Sequence, residues 1–262
     1  MSFVGGVGYS NIDLIYSGLD RLPDKGEEIF ARGFSMQFGG GIPATMINLS
    51  RLGVESRIIT FAGHDLFSEF VKKTLNSYPV KTVNLYKGNK MPVVLSSTLL
   101  YCGDRSFISY TDGMDLNDAV MDEVYENLKG AYVVDMHVGF LDVYKRLKKD
   151  GCIQIFDTGW EDDLTLEKYR DYLEIADYYI PNQKEAMKIT GTSSVEAAAD
   201  VLSEFFSDVT IKMDKEGCLL KNKDGIKIIS SVQNVKAIDA TGAGDAFMSG
   251  FIYGLYHHHP TE

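Results

Sequence analysis

The stretch Asp239-Ala-Thr-Gly-Ala-Gly-Asp-Ala-Phe247 decides how this chain is interpreted. The apolar run 235–238 before it predicts a strand, and the apolar residues within 246–255 have the spacing of a helix. Between them, Gly242-Ala243-Gly244 lets the backbone turn sharply and come close to a ligand. A tight turn that opens a helix points unpaired N–H groups at one spot, where the helix dipole adds positive potential. The stretch therefore predicts an anion site, and phosphate is the usual anion.

Asp245 needs its own explanation, because a carboxylate inside an anion-binding turn repels the anion. It has a use there if it takes a proton from a group that attacks the anion. A hydroxyl that attacks a phosphoryl group is such a case, since this reaction depends on positioning and charge stabilisation. The alternative is that Asp245 only caps the helix that follows the turn.

The motif Asp-x-Thr-Gly-Ala-Gly-Asp-x-Phe at 239–247 resembles the C-terminal signature of ribokinase-like carbohydrate kinases, the phosphofructokinase B family. The resemblance implies that Asp245 is the base that activates a sugar hydroxyl. It implies that the amides of Gly242-Ala243-Gly244 stabilise charge on the transferred γ-phosphate. Asp239 and Thr241 match family positions next to a bound potassium ion, and Thr241 also belongs to the implied nucleotide site.

Length and composition predict one globular α/β domain over residues 1–262, with 45% apolar and 24% charged residues. The net charge of −11 argues against nucleic acid and anionic membrane surfaces as partners. No apolar run approaches a membrane span, and Met1-Ser-Phe-Val lacks the basic start of a signal peptide. Cys102, Cys152 and Cys218 have no metal-ligand spacing and predict buried free thiols of a cytoplasmic protein.

Helical and strand patterns alternate from residue 116 onwards, which predicts βαβ units. The predicted helices are 116–128, 141–149 and 164–175, and the predicted strands are 131–136, 152–156 and 177–180. Such units form a mainly parallel sheet flanked by helices, with ligands at the carboxyl ends of its strands. This rule brings His137, Asp157 and Asn182 to the active edge. Trp160, close behind Asp157, is either a core residue or a ligand contact.

The N-terminal half contains candidates for sugar binding. The resemblance implies that Asp13 bonds two sugar hydroxyls and that Gly39, Gly40 and Gly41 let hydroxyls approach the backbone before a predicted helix, 44–52. The alternatives are a solvated turn acid and a plain glycine loop. The family usually has Asn at the place of Ala44, so one sugar-binding side chain is missing here.

His137 and Arg105 are further candidates for contact with the substrate. His137 could reach a sugar hydroxyl from the end of a predicted strand, although a histidine satisfied by the backbone explains it as well. Arg105 lies in a predicted strand, where the alternative is a charge exposed to solvent.

Strand patterns within 11–38 and 80–110 resemble the family's small β-sheet lid, which is inserted in the kinase domain and covers the sugar. A small sheet cannot bury both of its faces against its own domain. In ribokinase-like kinases two lids often pack together, so we expect a homodimer joined through the lids. The apolar residues available for that contact are Val93, Leu95, Leu99, Phe107 and Ile108.

Two segments predict a nucleotide site. Asn182 and Glu185 have the spacing of a capping box, and the resemblance adds that they order Mg²⁺, its waters and the nucleotide phosphates. Asp214-Lys-Glu-Gly217 resembles a Gly-x-x-Gly turn beside ATP, with Asp214 in place of the first glycine. Lys212 could reach a phosphate from the preceding strand, or it is simply solvated.

Together these observations predict an ATP- and Mg²⁺-dependent kinase of a small neutral sugar. A nucleoside kinase is an alternative with the same fold and motifs. A degenerate binding paralogue is another alternative. Ala44, Asp214 and the missing C-terminal tail favour it, whereas an intact Asp245 and its three-residue anion turn argue against it. Family members continue beyond the position of Glu262, so we expect the C-terminal part of the family fold to be absent here, either because this chain is truncated or because its nucleotide site is built differently.

Overall fold

The chain alternates strands and helices around one large sheet. The computed structural model describes residues 3–102, 104–232, 235 and 242–259. In chain order the elements are β1 (Phe3–Val7), β2 (Asn11–Leu19), β3 (Gly33–Gly39), α1 (Gly41–Arg51), β4 (Ser56–Thr60), α2 (Leu66–Asn76), β5 (Lys81–Asn84), β6 (Val94–Tyr101), β7 (Asp104–Tyr110), α3 (Asp118–Leu128), β8 (Ala131–Met136), α4 (Leu141–Lys149), β9 (Ile153–Phe156), α5 (Leu166–Ile175), β10 (Tyr178–Tyr179), α6 (Gln183–Thr190), α7 (Val195–Leu202), β11 (Val209–Lys212), β12 (Cys218–Asn222), β13 (Gly225–Ile229) and α8 (Ala243–Tyr256).

The central sheet has six strands in the order β10-β9-β8-β1-β4-β5, and every pairing between them is parallel. β1 lies in the middle and is buried along its whole length, because its sequence Phe-Val-Gly-Gly-Val has no polar side chain. Parallel strands need crossover connections, and helices supply most of them here. The predicted parallel sheet flanked by helices is confirmed.

Helices cover both faces of the central sheet. α1, α2 and α8 pack on one face, where Met46 and Ile252 belong to the same apolar cluster as Val133 of β8. α3 to α7 pack on the other face, where Leu128 belongs to the same cluster as Val134 of β8. Val133 and Val134 are neighbours in the chain, and successive side chains of a strand point to opposite faces. Both faces of these strands are buried, and this explains why their sequences are continuous apolar runs.

A second sheet, which we call the lid, has four strands in the order β3-β2-β6-β7. Residues 20–32 form no strand, so the predicted strand pattern within 11–38 is divided between β2 and β3, with a strand-free segment separating them. We also placed the strand pattern at 80–86 in the lid, and this was wrong. β5 pairs in parallel with β4 at the edge of the central sheet. A short apolar run predicts a strand without indicating its pairing partner.

The pairing register divides the lid side chains between two faces. Leu14 pairs with Met36 on one side and, through β6, is level with Ile108 on the other. These three share one face, whereas Asp13 and Ser96 lie on the opposite face. We call the first of these the apolar lid face, and it consists of Ile12, Leu14, Tyr16, Phe34, Met36, Phe38, Leu95, Leu99, Ile108 and Tyr110.

Two of the five apolar residues predicted for the dimer contact do not belong to this face. Val93 precedes β6 in the chain and is not part of the lid sheet. Its side chain is fully buried in the core cluster that also contains residues of α1 and α2. Phe107 is exposed, but it lies on the face that carries Asp13, since it is the neighbour of Ile108 in β7. Leu95, Leu99 and Ile108 are on the apolar lid face as predicted.

The third sheet contains β11, β12 and β13, all antiparallel. β12 and β13 form the predicted hairpin, with Asn222 and Gly225 as the last pair before the turn. α1 begins at Gly41 and α8 at Ala243, each three residues earlier than predicted, so each helix includes part of its glycine turn. Cys152 and Cys218 are buried, whereas Cys102 is exposed in the turn after β6, which corrects the prediction for that residue.

None of the helices in the described ranges combines the length and the apolar composition that crossing a membrane requires. Asp239, Thr241 and Glu262, together with most of the predicted strand 235–238, lie outside the described residues.

Gly217→Ala is expected to destabilise the protein more than the control Gly191→Ala. Gly217 and Gly191 both have positive φ angles, of 101° and 68°. A Cβ atom at Gly217 would lie 1.9 Å from the carbonyl oxygen of Ile229, whereas one at Gly191 would meet nothing within 4 Å. Left-handed strain alone costs about 1 kcal/mol, so we expect about that loss at Gly191 and more than about 2 kcal/mol at Gly217. Urea unfolding measures both losses, and equal values would contradict the steric explanation.

Candidate active site

The glycine turn forms the N-terminal end of α8, and Gly242 is the N-cap residue. Its φ angle of 77° lies in the left-handed region that glycine adopts without strain. The N–H of Ala246 donates to the carbonyl oxygen of Gly242 at 2.9 Å, so helical bonding begins there. The preceding amides have no acceptor within the helix. The Gly242-Ala243-Gly244 turn can therefore attract an anion through its N–H groups and the helix dipole.

Asp245 follows this turn and faces a pocket of about 240 Å³. Burial raises the pKa of Asp245 to about 6, with a further increase from Asp157, while Lys212 acts in the opposite direction. A Cβ atom added to Gly41 would lie 3.5 Å from Oδ1 of Asp245, so the start of α1 lies beside this carboxyl group. The pocket is lined by Gly41, Ile42, Thr45, Asp135, Met136, His137, Asp157, Thr158, Gly159, Asp245 and Met248.

Lys212 at the end of β11 places its ammonium group beside the glycine turn. Its Nζ atom lies 3.8 Å from the position that a Cβ atom of Gly244 would occupy. The same Nζ donates to Oδ2 of Asp157 at 2.8 Å, and the two groups form an ion pair. Lys212 was predicted as a phosphate contact or a solvated residue, and only 13% of its side chain is exposed. A solvated lysine is therefore excluded.

Asn182 and Glu185 form the predicted capping box of α6. Oδ1 of Asn182 accepts from the N–H groups of Lys184 and Glu185, and Oε2 of Glu185 accepts from the N–H of Asn182 at 2.8 Å. Glu185 is buried, and burial followed by the charge of Asp157 raises its pKa. The cap engages this carboxylate through Oε2, and the side chain of Asn182 also bonds it.

Whether Asn182 and Glu185 fit Mg²⁺ depends on the oxygen atoms that they can offer to the ion. No cluster of three or more His, Cys, Asp or Glu side chains is arranged to hold a metal ion within the described parts of the chain. Mg²⁺ keeps several waters and is commonly held by one or two carboxylates together with substrate phosphates. Glu185, with Asn182 beside it, therefore fits an ion bound through water, and it does not fit a metal cage built from protein ligands.

Asp13 on β2 accepts a hydrogen bond from Nδ2 of Asn11 at 2.9 Å. Burial raises its pKa, while this hydrogen bond and the positive charge of Arg105 on β7 act in the opposite direction. The guanidinium of Arg105 lies over the ring of Phe107, 5.5 Å from its centroid. Arg105 and Asp13 are therefore on the same lid face and close enough to interact electrostatically.

Gly39 ends β3 of the lid, Gly40 is the N-cap residue of α1, and Gly41 begins the helix and lines the pocket. A Cβ atom at Gly39 would come within 2.9 Å of Oδ2 of Asp13, and one at Gly40 within 2.6 Å of the carbonyl oxygen of Tyr9. Gly40 also has a φ angle of 102°. No side chain fits at either position, because atoms of Asp13 and Tyr9 already occupy the space, so the backbone at Gly39 lies directly against the carboxyl group of Asp13. Ala44 does not line the pocket, whereas its neighbour Thr45 does.

His137 lines the pocket at the carboxyl-end edge of the sheet, where it was predicted. Its ring also bonds the backbone, which was the alternative explanation for this histidine. Its Nδ1 lies 2.8 Å from the carbonyl oxygen of Val138, and burial lowers its pKa. Asp214 and Gly217 lie in the turn between β11 and β12 and do not line the pocket of Asp245. Asp214 adopts a φ angle of 51° and accepts from Nε2 of Gln183 at 3.0 Å, which ties this turn to α6.

Asp135 is a pocket residue that the sequence analysis missed. It lies near the end of β8, only 3% of it is exposed, and Thr45 of α1 bonds its carboxyl group. Burial raises the pKa of Asp135 well above its ordinary value, and the charges of Asp157 and Asp245 raise it further. A carboxylic acid with its proton can donate a hydrogen bond into the pocket. The signal was available, since an acid inside the apolar run 131–136 is unusual.

Trp160 is the single tryptophan of the chain. It lies on the loop after β9, three residues beyond Asp157, and 57% of its surface is exposed. Its ring is 5.9 Å from Nζ of Lys188 on α6. The interpretation as a core residue is therefore wrong.

Asp135→Asn is expected to stabilise the protein at neutral pH. Because the pKa of Asp135 is raised by folding, the folded protein holds a proton that the unfolded chain releases. The free energy of unfolding therefore falls as the pH rises above the unfolded pKa of about 3.9. Asn keeps the shape without the proton, so we expect a gain of at least about 1 kcal/mol at pH 7 that disappears near pH 3.5.

Urea unfolding across this pH range measures the effect, and Asp162→Asn is the matched control because its side chain is exposed. A loss of stability in Asp135→Asn that is the same at every pH would contradict the assignment of a proton to Asp135.

The parallel sheet, the glycine turn and the carboxylate behind it define a phosphotransferase with a ribokinase-like fold. A family model described as pfkB family carbohydrate kinase matches residues 1–262. The chain belongs to this family, and it is a carbohydrate kinase. The resemblance drawn from the motif at 239–247 is thereby confirmed.

Proteins that are similar to this chain in sequence or structure include sugar kinases. A proposed sugar kinase of Pyrococcus horikoshii is 28% identical over 235 residues, which are 82% of this chain and 73% of the relative. Ribokinase of Lactococcus lactis is 22% identical, over 97% of this chain and 84% of its own. Among solved structures, Arabidopsis thaliana ribokinase complexed with ribose and ATP superposes with a TM-score of 0.81 at 22% identity, covering 100% of this chain and 88% of that one.

Proposed function

We propose that this kinase transfers the γ-phosphoryl group of ATP to a hydroxyl group of a small neutral sugar. Asp245 takes the proton of the attacking hydroxyl. The hydroxyl oxygen forms a bond to the γ-phosphorus while the bond between that phosphorus and ADP breaks. The Gly242-Ala243-Gly244 turn stabilises the charge on the phosphoryl group through its N–H groups and the helix dipole.

The observation that carries the proposal is the burial of the Asp245 carboxyl group in the pocket, together with its raised pKa. Its carboxyl group lies in the first turn of α8 inside a pocket, and burial raises its pKa to about 6. An acid that only capped a helix would accept N–H bonds, and these would favour its charged form. A base with a pKa near neutral pH is efficient because it is ionised yet still attracts a proton.

The sugar site extends from this pocket to the lid. Asp13 and Arg105 on the lid, the backbone of Gly39-Gly40-Gly41 and the ring of His137 supply donors and acceptors for hydroxyl groups. Ala44 has no side chain that can hydrogen-bond, so recognition depends more on Asp13. The ribose and ATP in the complex of the Arabidopsis relative support a sugar and a nucleotide as the pair of ligands.

The nucleotide site lies on the other side of Asp245. We infer that Lys212 and the glycine turn bind phosphate together with Thr241, which precedes the turn in sequence, and that Asp214 and Gly217 lie beside the nucleotide. Glu185 and Asn182 would hold Mg²⁺ through water, and the ion would neutralise phosphate charge. A potassium ion next to Asp239 and Thr241 belongs to the same proposal, and both residues lie outside the described part of the chain.

Phosphorylation of a panel of neutral sugars, sugar phosphates and nucleosides tests the function, and we expect turnover with a neutral sugar. Asp245→Asn should lower kcat at least about 100-fold with little change in KM, because Asn keeps the shape and cannot take a proton. For the unmodified enzyme, kcat/KM should rise with pH through about 6, the pKa of Asp245, since the ionised form is active.

Asp142→Asn is the matched control, because Asp142 also lies in the first turn of a helix and is exposed. Near-normal turnover of Asp245→Asn would contradict its role as base, and a preference for sugar phosphates or nucleosides would contradict the substrate class.

We also propose that two copies associate through the apolar lid face. Phe34, Met36 and Ile108 on this face are exposed, although each is a large apolar side chain. Exposed apolar groups arranged on one sheet face are typical of a contact surface. A second copy presents the same face, so the two lids can cover each other.

Ile108→Glu is expected to convert the dimer into monomers and to weaken sugar binding, because it places a charge on the apolar lid face of each copy. Leu66→Glu is the control, since Leu66 is equally exposed but lies on α2. Light scattering at micromolar concentration measures the mass. A native protein that is monomeric under these conditions would contradict the proposal.

A further inference from the structure

The ion pair between Asp157 and Lys212 connects a residue that lines the pocket, Asp157, to the last residue of β11, which is far away in sequence. Asp157 follows β9 and Lys212 ends β11, and Oδ2 and Nζ are 2.8 Å apart. The side chains are 29% and 13% exposed, so solvent screens this pair less than a surface pair. Burying two charges is unfavourable unless further bonds compensate for it, which makes a purely structural role a poor explanation.

The backbone fixes the place of Lys212 beside the phosphate turn. Its N–H donates to the carbonyl oxygen of Pro181 at 2.9 Å, and it bridges Asn182 in parallel. The ammonium then extends to within 3.8 Å of the Cβ position at Gly244. An ammonium group has three N–H donors, and Asp157 uses one of them. The other two are available to an anion that binds at the turn.

The charges around Asp245 come from several elements. Asp135 on β8 and His137 after it, Asp157 after β9 and Lys212 on β11 all face the pocket or reach it. Asp13 approaches from the lid side, next to Gly39. Of these groups, Asp157 raises the pKa of Asp245 and Lys212 lowers it. The two members of the pair therefore act on the base in opposite directions.

We propose that Asp157 is a positioning residue, which holds the ammonium group of Lys212 against the Gly242-Ala243-Gly244 turn so that Lys212 binds the phosphoryl group in transfer. The proposal rests on the proposed function and adds a role that the signature motif does not contain. The reaction stays as written above. The proton goes to Asp245, the phosphoryl group goes to the hydroxyl oxygen, and Lys212 and Asp157 keep their protonation states throughout.

The pH dependence of kcat/KM tests whether the charges of Asp157 and Lys212 act on Asp245 from the positions that the structure gives them. Asp157→Asn removes the negative charge and should move the acidic limb of the profile to lower pH. Lys212→Met removes the positive charge and should move it to higher pH, and we expect each shift to be about 0.5 pH unit or more. Lys212→Arg keeps the charge and should leave the limb near its original position. Limbs that stay in place in both charge-removing variants, or a limb in Lys212→Arg that moves as far as in Lys212→Met, would contradict the placement of this pair beside Asp245.

Nucleotide binding gives a second readout that needs no turnover. Emission of Trp160 reports on the loop next to Asp157, so it can follow titration with AMP-PNP, which carries a γ-phosphate, and with ADP, which lacks one. Lys212→Met and Asp157→Ala should each weaken AMP-PNP binding about tenfold, the size of one charge-assisted hydrogen bond, and leave ADP binding within about threefold. Lys221→Met is the matched control, because Lys221 pairs with Asp200 away from the pocket.

The outcomes separate the two proposals. If the unmodified enzyme phosphorylates a sugar and the two acidic limbs move together or stay in place, the role of Asp157 is overturned while the function stands. If no substrate is phosphorylated, the proposed function fails and the binding experiment decides alone. Equal losses for AMP-PNP and ADP, or no loss for AMP-PNP, would then overturn the assignment of Lys212 and Asp157 to the transferred phosphoryl group.

Discussion

The site depends on one packing constraint, which is that α1 and α8 lie side by side on the same face of the central sheet. Met46 of α1 and Met248 of α8 belong to one buried cluster, and Oγ of Ser249 donates to the carbonyl oxygen of Thr45 at 3.4 Å. Because the two helices begin at the same edge of the sheet, their N-terminal ends open on one pocket. Gly41 therefore lies beside Asp245 although the two are far apart in sequence.

This packing also explains how three acids in one pocket come to differ in pKa and in ion pairing. Each carboxylate loses solvation at the sheet edge, and a buried charge persists only with a partner. Asp157 has Lys212 as its partner. Asp135 is fully buried, so its raised pKa keeps a proton on it, whereas Asp245 has a pKa of about 6. One acid is thus suited to donate a hydrogen bond, one to accept a proton and one to hold a cation.

The sequence predicted the features that are local in the chain. The turn at 242–244, the capping box of Asn182 and the βαβ order all depend on neighbouring residues, and they reappear in the fold. Strand pairing and electrostatic neighbourhoods depend on residues far apart, so β5 was placed in the wrong sheet and Asp135 was overlooked. The ion pair between Asp157 and Lys212 could not be predicted from the sequence either, because 55 positions separate the two residues.

The alanine at position 44 changes where sugar recognition must occur. An amide side chain on α1 would bind a hydroxyl from the rigid core, but Ala44 offers none and does not line the pocket. Under the proposed function, Asp13 and its partner Asn11 take a larger share, and both are carried by the lid. Binding energy that comes from the lid is available only when the lid is in place. If the proposed sugar site and the proposed lid contact both hold, sugar affinity is coupled to the position of the lid and, through the apolar lid face, to the association of two copies.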